Sequence, residues 1–331
     1  MGTTETETAQ ASGLSEEVRE HYRMVALALA DGEVVPFLGA GVNLCGRPSG
    51  EHFKLGEWLP SGAELAEYLA RRCGYPLPDA DNLVRVTQYQ VTMQDEGPLY
   101  KRLHEVFNAD YRPTHLHGFL ARLPQTLKQK FGTARNQLII TTNYDDALER
   151  AFAEAKQPYD LFTYLAFGED AGKFVHTAPD GKRHVVSNPK RFSEPLLEQR
   201  PVILKIHGAV DRADSRRDSY VITEDDYIEF LQRTEISKLI PVSLIPAMQS
   251  SHFLFLGYSL RDWNLRVILQ RIWEEQDHGW SSWAVQHQTN PIDQKFWMKR
   301  GVDIQVVDLQ DYVRGLDAAL NEIATENEAA A

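Results

Sequence analysis

The chain contains short apolar runs in which hydrophobic residues are continuous and do not alternate with polar ones. These runs, rich in β-branched residues, are residues 34–42, 137–145, 201–210, 252–259, 282–286 and 302–309. Strands buried on both faces have this composition, and they belong to parallel sheets. Amphipathic helical patterns follow several runs, as in DDALERAFAEA and TEDDYIEFLQR. This succession predicts an α/β fold, a Rossmann-like doubly wound parallel sheet.

Two segments interrupt the alternation of strand and helix. Helical periodicity in residues 61–128 predicts an α-helical insertion between the first and second strands. Residues 158–200 carry glycine, proline and charge, so we expect an irregular insert that covers one edge of the site. The remaining predicted units are a core of residues 21–60 and 129–322 and flexible tails at 1–20 and 323–331.

Composition narrows the classes of partner and the cellular setting. With 47 acidic and 35 basic residues the net charge is -12, which argues against holding a nucleic acid backbone by general electrostatics. Cys45 and Cys73 are too few for a disulfide framework, and the first residues lack the apolar core of a signal peptide. Since no apolar run approaches the ~20 residues that span a bilayer, we expect a cytoplasmic protein without a membrane partner.

Glycines and polar residues follow four of the predicted strands. They lie in FLGAGVN, TTNYDD, KIHGAVD and LGYSLRDWN. Each has an ordinary structural explanation: a tight turn, a capping box of Thr142 with Asp145 or of Ser259 with Asp262, or a core histidine. In open α/β sheets, however, ligands bind outside the carboxyl ends of the strands, where helix N-termini point. The four strand ends together therefore predict one ligand site.

A metal site is not predicted. The histidines His104, His115 and His117 lie near one another in the sequence, but HLHGF is typical of a helix start. Two cysteines cannot supply a thiolate zinc site with the usual spacing. We therefore expect no metal cofactor.

The motifs GAGV, TTNYD, IHGAVD and GYSLRDWN, in this order and at these spacings, resemble the sirtuin-like fold. The resemblance is to its bacterial branch of NAD-consuming antiphage defence proteins, and it extends to LPSGAELAEYLA after the first glycine loop. It covers roughly residues 30 to 310. It implies that NAD is bound as a substrate.

The resemblance also assigns roles by position. The glycine loop that holds the NAD phosphates in sirtuins corresponds to Gly39, Ala40, Gly41 and Val42. The residues expected against the nicotinamide ribose are Asn143 and Asp145, preceded by Thr142 where the family usually has glutamine. The histidine before glycine, which is the general base in sirtuins, corresponds to His207. The residues expected at the adenosine half are Gly257, Ser259 and Asp262.

Departures from the family define the expected reaction. Deacylating sirtuins carry a zinc module with four cysteines, which this sequence lacks, so a protein deacylase is not expected. The expected reaction is hydrolysis of NAD to ADP-ribose and nicotinamide, with cyclisation to cyclic ADP-ribose as a side channel. In this hypothesis Asn143 positions the ribose and water, and His207 takes a proton. Asp145 orients Asn143 or favours the developing cation.

Three alternatives stay open. The chain could bind NAD or ADP-ribose without cleaving it, as a regulatory subunit of a defence complex. It could be a dehydrogenase, although GAGVNL has leucine at the third glycine position of the G-x-G-x-x-G fingerprint. It could be a structural subunit with an inactive sheet, which the presence of Asn143 and His207 argues against.

The resemblance implies control by assembly, because a free NAD hydrolase would drain the cell's own cofactor. We expect a homo-oligomer that acts in abortive infection by NAD depletion. The expected partner is a separate protein, either a HerA-type ATPase or an Argonaute-like protein. The helical insertion and residues 230–248 are the candidate contact surfaces, although core packing explains both equally well.

Overall fold

In a computed structural model, residues 15–132, 135–192, 194, 196–233, 240–258, 266–267, 270 and 281–330 are described. The strands are β1 Val34–Leu38, β2 Leu138–Thr141, β3 Asp160–Tyr164, β4 Phe174–Thr177, β5 Arg183–Val185, β6 Val202–Lys205, β7 Gly208–Ala209, β8 Ser219–Tyr220, β9 His252–Leu256, β10 Ser282–Gln286 and β11 Val302–Val306. The described α-helices are α1 Glu16–Asp31, α2 Gly62–Cys73, α3 Leu83–Gln94, α4 Glu96–Phe107, α5 His115–Phe131, α6 Ala147–Glu154, α7 Leu196–Gln199, α8 Glu224–Arg233, α9 Ile245–Gln249, α10 Pro291–Met298 and α11 Leu309–Ala330.

The main sheet has the strand order β11-β10-β9-β1-β2-β6-β3-β4-β5. Pairing is parallel from β11 through to β3, and β4 and β5 add antiparallel strands at one edge. The chain proceeds from β1 to β2 on one side and later returns to β9 on the other side. The order of connection therefore reverses around β1, which is where an open α/β sheet forms a crevice.

Continuous apolar strands arise because both faces of the sheet are covered. Within β1, Val34 and Leu38 pack into one buried cluster, while Val35 and Phe37 pack into another. Helices α1, α5, α6 and α11 contribute to the first cluster, and α8, α9 and α10 contribute to the second. The predicted α/β class and mainly parallel sheet are confirmed, and all six predicted strands are present.

The predicted helical insertion contains two different parts. Helices α2, α3 and α4 form their own buried cluster with loops at the strand ends, including Tyr144 and Ile222. Helix α5, by contrast, packs its apolar side chains into the cluster on the face of the main sheet. It begins at His115 and is capped by Thr114, as the helix start predicted at HLHGF requires. The packing thus limits the separate helical unit to α2–α4.

Residues 158–200 are not an irregular insert. They contain β3, β4 and β5, which extend the main sheet, and their inward residues Phe162 and Phe174 belong to its core. The expectation that this segment covers the site is also wrong, because among the described residues none of 158–200 lines the cleft described below.

The described residues near both ends of the chain, 15–20 and 323–330, are more ordered than predicted. Helix α1 begins at Glu16 with Ser15 as its N-cap, and its buried face includes Val25. Helix α11 continues to Ala330 and buries Ile323 against the same core. The assignment of residues 323–330 to a flexible tail is therefore wrong, since the apolar face of α11 extends past residue 322.

The apolar segment at 230–248 contributes to the core where it is described. Phe230, Ile240, Leu244 and Met248 are buried in the second cluster. Residues 234–239 lie outside the described residues. Core packing therefore accounts for the described part of this candidate contact surface. None of the described helices is long and apolar enough to span a membrane.

Candidate active site

A cleft of roughly 400 Å³ opens at the carboxyl ends of β1, β2, β6 and β9. This volume falls within the range of about 300–1,000 Å³ typical of small-molecule sites. The structure brings most of the predicted site residues together here: Gly39, Ala40, Gly41, Thr142, Asn143, Asp145, His207 and Gly257. Residues from four strand ends that are far apart in sequence thus share one cavity.

Three of the predicted site residues are not among those that line the cleft. Two of them, Ser259 and Asp262, lie outside the described residues. Val42 is fully buried in the core cluster beneath the sheet and does not line the cleft. Its backbone N–H donates to the carbonyl oxygen of Gly39 at 3.1 Å, so Val42 supports the turn from below.

The glycine loop after β1 packs against the end of β9. Gly39 and Gly41 donate their N–H groups to the carbonyl oxygens of Leu256 and Gly257, at 3.0 and 2.8 Å. Gly257 has φ +64°, and a Cβ there would lie 2.2 Å from the backbone nitrogen of Val42. The glycines therefore permit close contact between two loops, and the N–H groups of Gly39 and Gly41 are already used within the protein.

The loop after β2 holds Asn143 in a fixed orientation. The Asn143 N–H donates to Thr141 Oγ1 at 3.0 Å, and its Nδ2 donates to the carbonyl oxygen of Gly39 at 3.2 Å. This bond fixes the orientation of the amide, and Oδ1 and the second N–H of Nδ2 are the groups that can contact a ligand. The predicted capping box of Thr142 and Asp145 is wrong, since α6 begins at Ala147 and Asn143 lies in the loop before it.

Asn43 is a site residue that sequence reasoning missed. It lines the cleft, is 5% exposed, and donates from Nδ2 to Asp145 Oδ2 at 2.9 Å. Its Oδ1 is buried without a hydrogen-bond partner among the described residues. The other oxygen of Asp145 accepts from the N–H of Ala147 at 3.0 Å. Asp145 therefore orients Asn43 and the start of α6, and not Asn143 as expected from the sequence.

His207 lies deep in the cleft at the end of β6. The residue is 2% exposed, and its ring packs edge-on against Tyr227 and Phe230, with centroids 5.2 and 5.4 Å away. The following Gly208 has φ +85°, and a Cβ there would lie 2.1 Å from the carbonyl oxygen of Ser219. Glycine is required after His207 because the backbone of β8 lies directly against Gly208.

Burial determines the protonation state of His207. Desolvation lowers the pKa of its imidazole to about 3, and Nε2 has no hydrogen-bond partner among the described residues. The ring is thus neutral at physiological pH. A neutral imidazole can accept a proton or a hydrogen bond from a bound molecule.

The helical unit α2–α4 closes one side of the cleft, which the sequence analysis did not predict. Ser61, Gly62 and Ala63 line it at the start of α2, and Leu65 and Phe107 add apolar side chains. Ser61 and Glu64 form a reciprocal capping box that fixes this helix N-terminus. The cleft therefore combines polar strand ends on one wall with an apolar helical wall opposite.

Metal ligands are not grouped in the described part of the chain. Ranges 15–132 and 135–192 and the described residues beyond them contain no cluster of three His, Cys, Asp or Glu side chains that could hold an ion. His117 contacts Thr114 through Nδ1, at 3.0 Å from Oγ1, within the capping box of α5.

The fold and the cleft define an α/β protein of Rossmann-like type, with the cleft at the point where the strand order reverses. A family model described as "SIR2-like domain" matches residues 137–305, just over half of the chain. The chain belongs to this SIR2-like family. The resemblance inferred from the strand-end motifs is confirmed.

The individual relatives that carry a functional name share low sequence identity with this chain. The chain is 25% identical over 215 residues to "NAD(+) hydrolase ThsA" of Bacillus cereus (strain MSX-D12), which covers 64% of this chain and 36% of that protein. The protein of the same name from Acinetobacter baumannii (strain 532279) is 28% identical over 211 residues, 63% of this chain and 35% of that one. The one from Enterococcus faecium is 25% identical over 248 residues, 74% and 41% of the two chains. The chain thus spans less than half the length of these relatives.

Proposed function

We propose that the protein hydrolyses NAD at the nicotinamide–ribose bond and releases ADP-ribose and nicotinamide. The observation that carries the proposal is the convergence of Asn143, the Asn43–Asp145 pair and the buried, neutral His207 in one cleft. Membership of the SIR2-like family and the names of the relatives support NAD as the substrate.

The chemistry follows from the substrate. Nicotinamide leaves from a cationic ring nitrogen, so the bond breaks with its electron pair returning to the ring, and the ribose carbon develops positive charge. Water then forms the new bond to that carbon and loses a proton. The site must position the ribose, favour the developing cation and direct the water.

The amide side chains have the geometry for positioning. Asn143 Oδ1 and Asn43 Oδ1 are acceptors that can bind ribose hydroxyls or water, because a bond from each Nδ2 to a protein oxygen fixes the orientation of the amide. The Asp145 carboxylate, 4% exposed at the cleft, places negative charge near the ribose and favours the developing cation. We assign binding of the phosphates to the same glycine loop, through groups other than the N–H groups of Gly39 and Gly41.

His207 is the proposed proton acceptor. Its neutral ring is available to water or to a ribose hydroxyl, and the negative charge of bound NAD phosphates would raise its low pKa. A base with a pKa near 3 holds a proton only briefly at neutral pH, so the proton passes on to solvent. This is sufficient because water attack on an oxocarbenium-like carbon needs little base strength.

The test is the release of nicotinamide by the purified chain. NAD is incubated with concentrated protein, and nicotinamide and ADP-ribose are quantified by chromatography. Asn143→Ala and His207→Ala are expected to lower turnover by at least about 100-fold. The matched controls are Asn188→Ala and His184→Ala, which change exposed residues outside the cleft and are expected to keep wild-type turnover. Near-normal turnover in both site variants would refute the assignment of Asn143 and His207 to the reaction.

A second function, binding of NAD or ADP-ribose without cleavage, is favoured by one observation. Burial lowers the pKa of His207 to about 3, which disfavours proton transfer and suits a hydrogen-bonding role. In this case the wild type would bind NAD, measured by calorimetry, and Asn143→Ala would weaken binding, yet no nicotinamide would appear. The release of nicotinamide therefore distinguishes the two functions.

We further propose that the activity serves antiphage defence by NAD depletion and acts in a homo-oligomer with a separate partner. The candidate partners are a HerA-type ATPase and an Argonaute-like protein. The proposal rests on the resemblance of the strand-end motifs to the bacterial defence branch. Native mass spectrometry of the chain, alone and after co-expression with each partner class, tests the proposed assembly. A chain that stays monomeric and binds neither partner would refute it.

A further inference from the structure

A lysine is buried directly behind the site. Lys205 is the last residue of β6, two positions before His207, and its side chain is 1% exposed. An ammonium group removed from water is costly unless it is paired and hydrogen-bonded. Its position beside the candidate site therefore calls for a role, and neither the family match nor the proposed mechanism assigns one.

The partners of Lys205 lie in the loop that carries Asn143 and in the helix that follows it. Lys205 Nζ donates to the backbone carbonyl oxygen of Asp145. It also forms an ion pair with Glu149 Oε1 at 2.7 Å, in the first turn of α6. Burial raises the pKa of Glu149, and the ammonium of Lys205 opposes this rise. Across the sheet, Lys205 lies beside Thr141 in the β2–β6 register.

These contacts fix the loop at both ends. Thr141 holds its first part, since the Asn143 N–H donates to Thr141 Oγ1 at 3.0 Å. Lys205 holds its last part through the carbonyl of Asp145, the residue whose carboxylate orients Asn43. Because a misplacement of about 1 Å can cost about 100-fold in rate, an anchor at this carbonyl has a direct route to the chemistry.

We propose that Lys205 is a positioning residue: its ammonium anchors the Asp145 carbonyl and so holds Asn143 and Asp145 in reacting geometry. The effect on turnover rests on the proposed NAD hydrolysis, whereas the effect on the loop does not. Glu149 neutralises the buried charge, and the bond to the carbonyl performs the positioning.

Two variants separate positioning from simple stability. Lys205→Met leaves Glu149 buried without its cation, so we expect a lower urea midpoint as well as lost turnover. The double variant Lys205→Met/Glu149→Leu replaces the pair with apolar side chains and is expected to recover the wild-type midpoint. In the double variant kcat is still expected to be about 10- to 100-fold lower, with KM within about threefold of wild type. Lys182→Met, which removes an exposed surface ion pair with Asp180, is the matched control.

A double variant with wild-type kcat would overturn the proposal, as would a loss confined to KM. Amide hydrogen exchange of the loop gives a readout that needs no enzyme activity. Exchange at residues 142–147 is expected to rise in the double variant while exchange in β9 stays at the wild-type rate. Unchanged loop exchange, or an equal rise in β9, refutes positioning. If the wild type releases no nicotinamide but loop exchange rises as expected, hydrolysis fails and the anchor stands.

Discussion

Replacement of His207 by leucine is predicted to reduce the loss of stability that acid causes. Desolvation lowers the pKa of His207 to about 3 in the folded protein, from 6.5 for an ordinary histidine. Between these two values the unfolded chain binds a proton that the folded chain does not. The contribution of the neutral ring to the free energy of unfolding is therefore fully present above about pH 6.5, and it is lost as the pH falls toward about 3.

The magnitude follows from the two pKa values. At about pH 5 the unfolded histidine lies 1.5 units below its pKa of 6.5, and each unit corresponds to 1.36 kcal/mol, so folding loses about 2 kcal/mol relative to neutral pH. Leucine has no proton to bind and occupies a similar volume between Tyr227 and Phe230. The variant should lack this contribution whatever its absolute stability.

Urea unfolding followed by tryptophan fluorescence at about pH 7.5 and about pH 5 measures the effect. The wild type is expected to lose about 2 kcal/mol more than His207→Leu between the two conditions. His117→Gln offers an independent comparison, because desolvation lowers the pKa of that buried ring to about 4. Equal pH dependence in wild type and His207→Leu would refute the claim that a neutral, buried ring lies at the site.

Three further substitutions test the packing of the site by urea unfolding. Gly257→Ala forces a Cβ to 2.2 Å from the Val42 nitrogen at φ +64°, so a loss of more than about 3 kcal/mol is expected; a loss below about 1 kcal/mol contradicts the contact. Asn43→Ala strips a donor from the buried Asp145 carboxylate, which should cost about 1.5–3 kcal/mol; wild-type stability would contradict this. Tyr144→Phe removes a 2.6 Å bond to a carbonyl after β8, for an expected loss of about 1 kcal/mol; a gain in stability would contradict it.

The parallel part of the fold could be predicted because its strands are buried on both faces. A run such as Val202–Lys205 is apolar almost throughout, and its sequence shows this directly. Strands β4 and β5 lie at the sheet edge, where β5 is largely exposed and its residues are Arg, His and Val. Strand β4 is only four residues long, and the segment between the two strands contains proline and glycine, so only tertiary pairing identifies them as strands.

The site could be predicted only in part for a related reason. Asn143 and His207 follow apolar strands, so the sequence places them at the same edge of the sheet. The bond between Asn43 and Asp145 joins residues 102 positions apart, and the contact of Lys205 with Asp145 spans 60 positions. The closing wall from α2 depends on how the helical unit folds back over the sheet. A local sequence pattern does not predict contacts between residues that lie so far apart in the chain.

The most direct test of the central claim is to incubate the protein with NAD in water enriched in oxygen-18 and to analyse the products by mass spectrometry. Hydrolysis at this cleft predicts free nicotinamide and ADP-ribose that carries one heavy oxygen at the ribose carbon. His207→Ala and Asn143→Ala should yield neither product above background. Intact NAD after long incubation with concentrated wild-type protein, together with measurable NAD binding, would contradict hydrolysis and establish a binding protein.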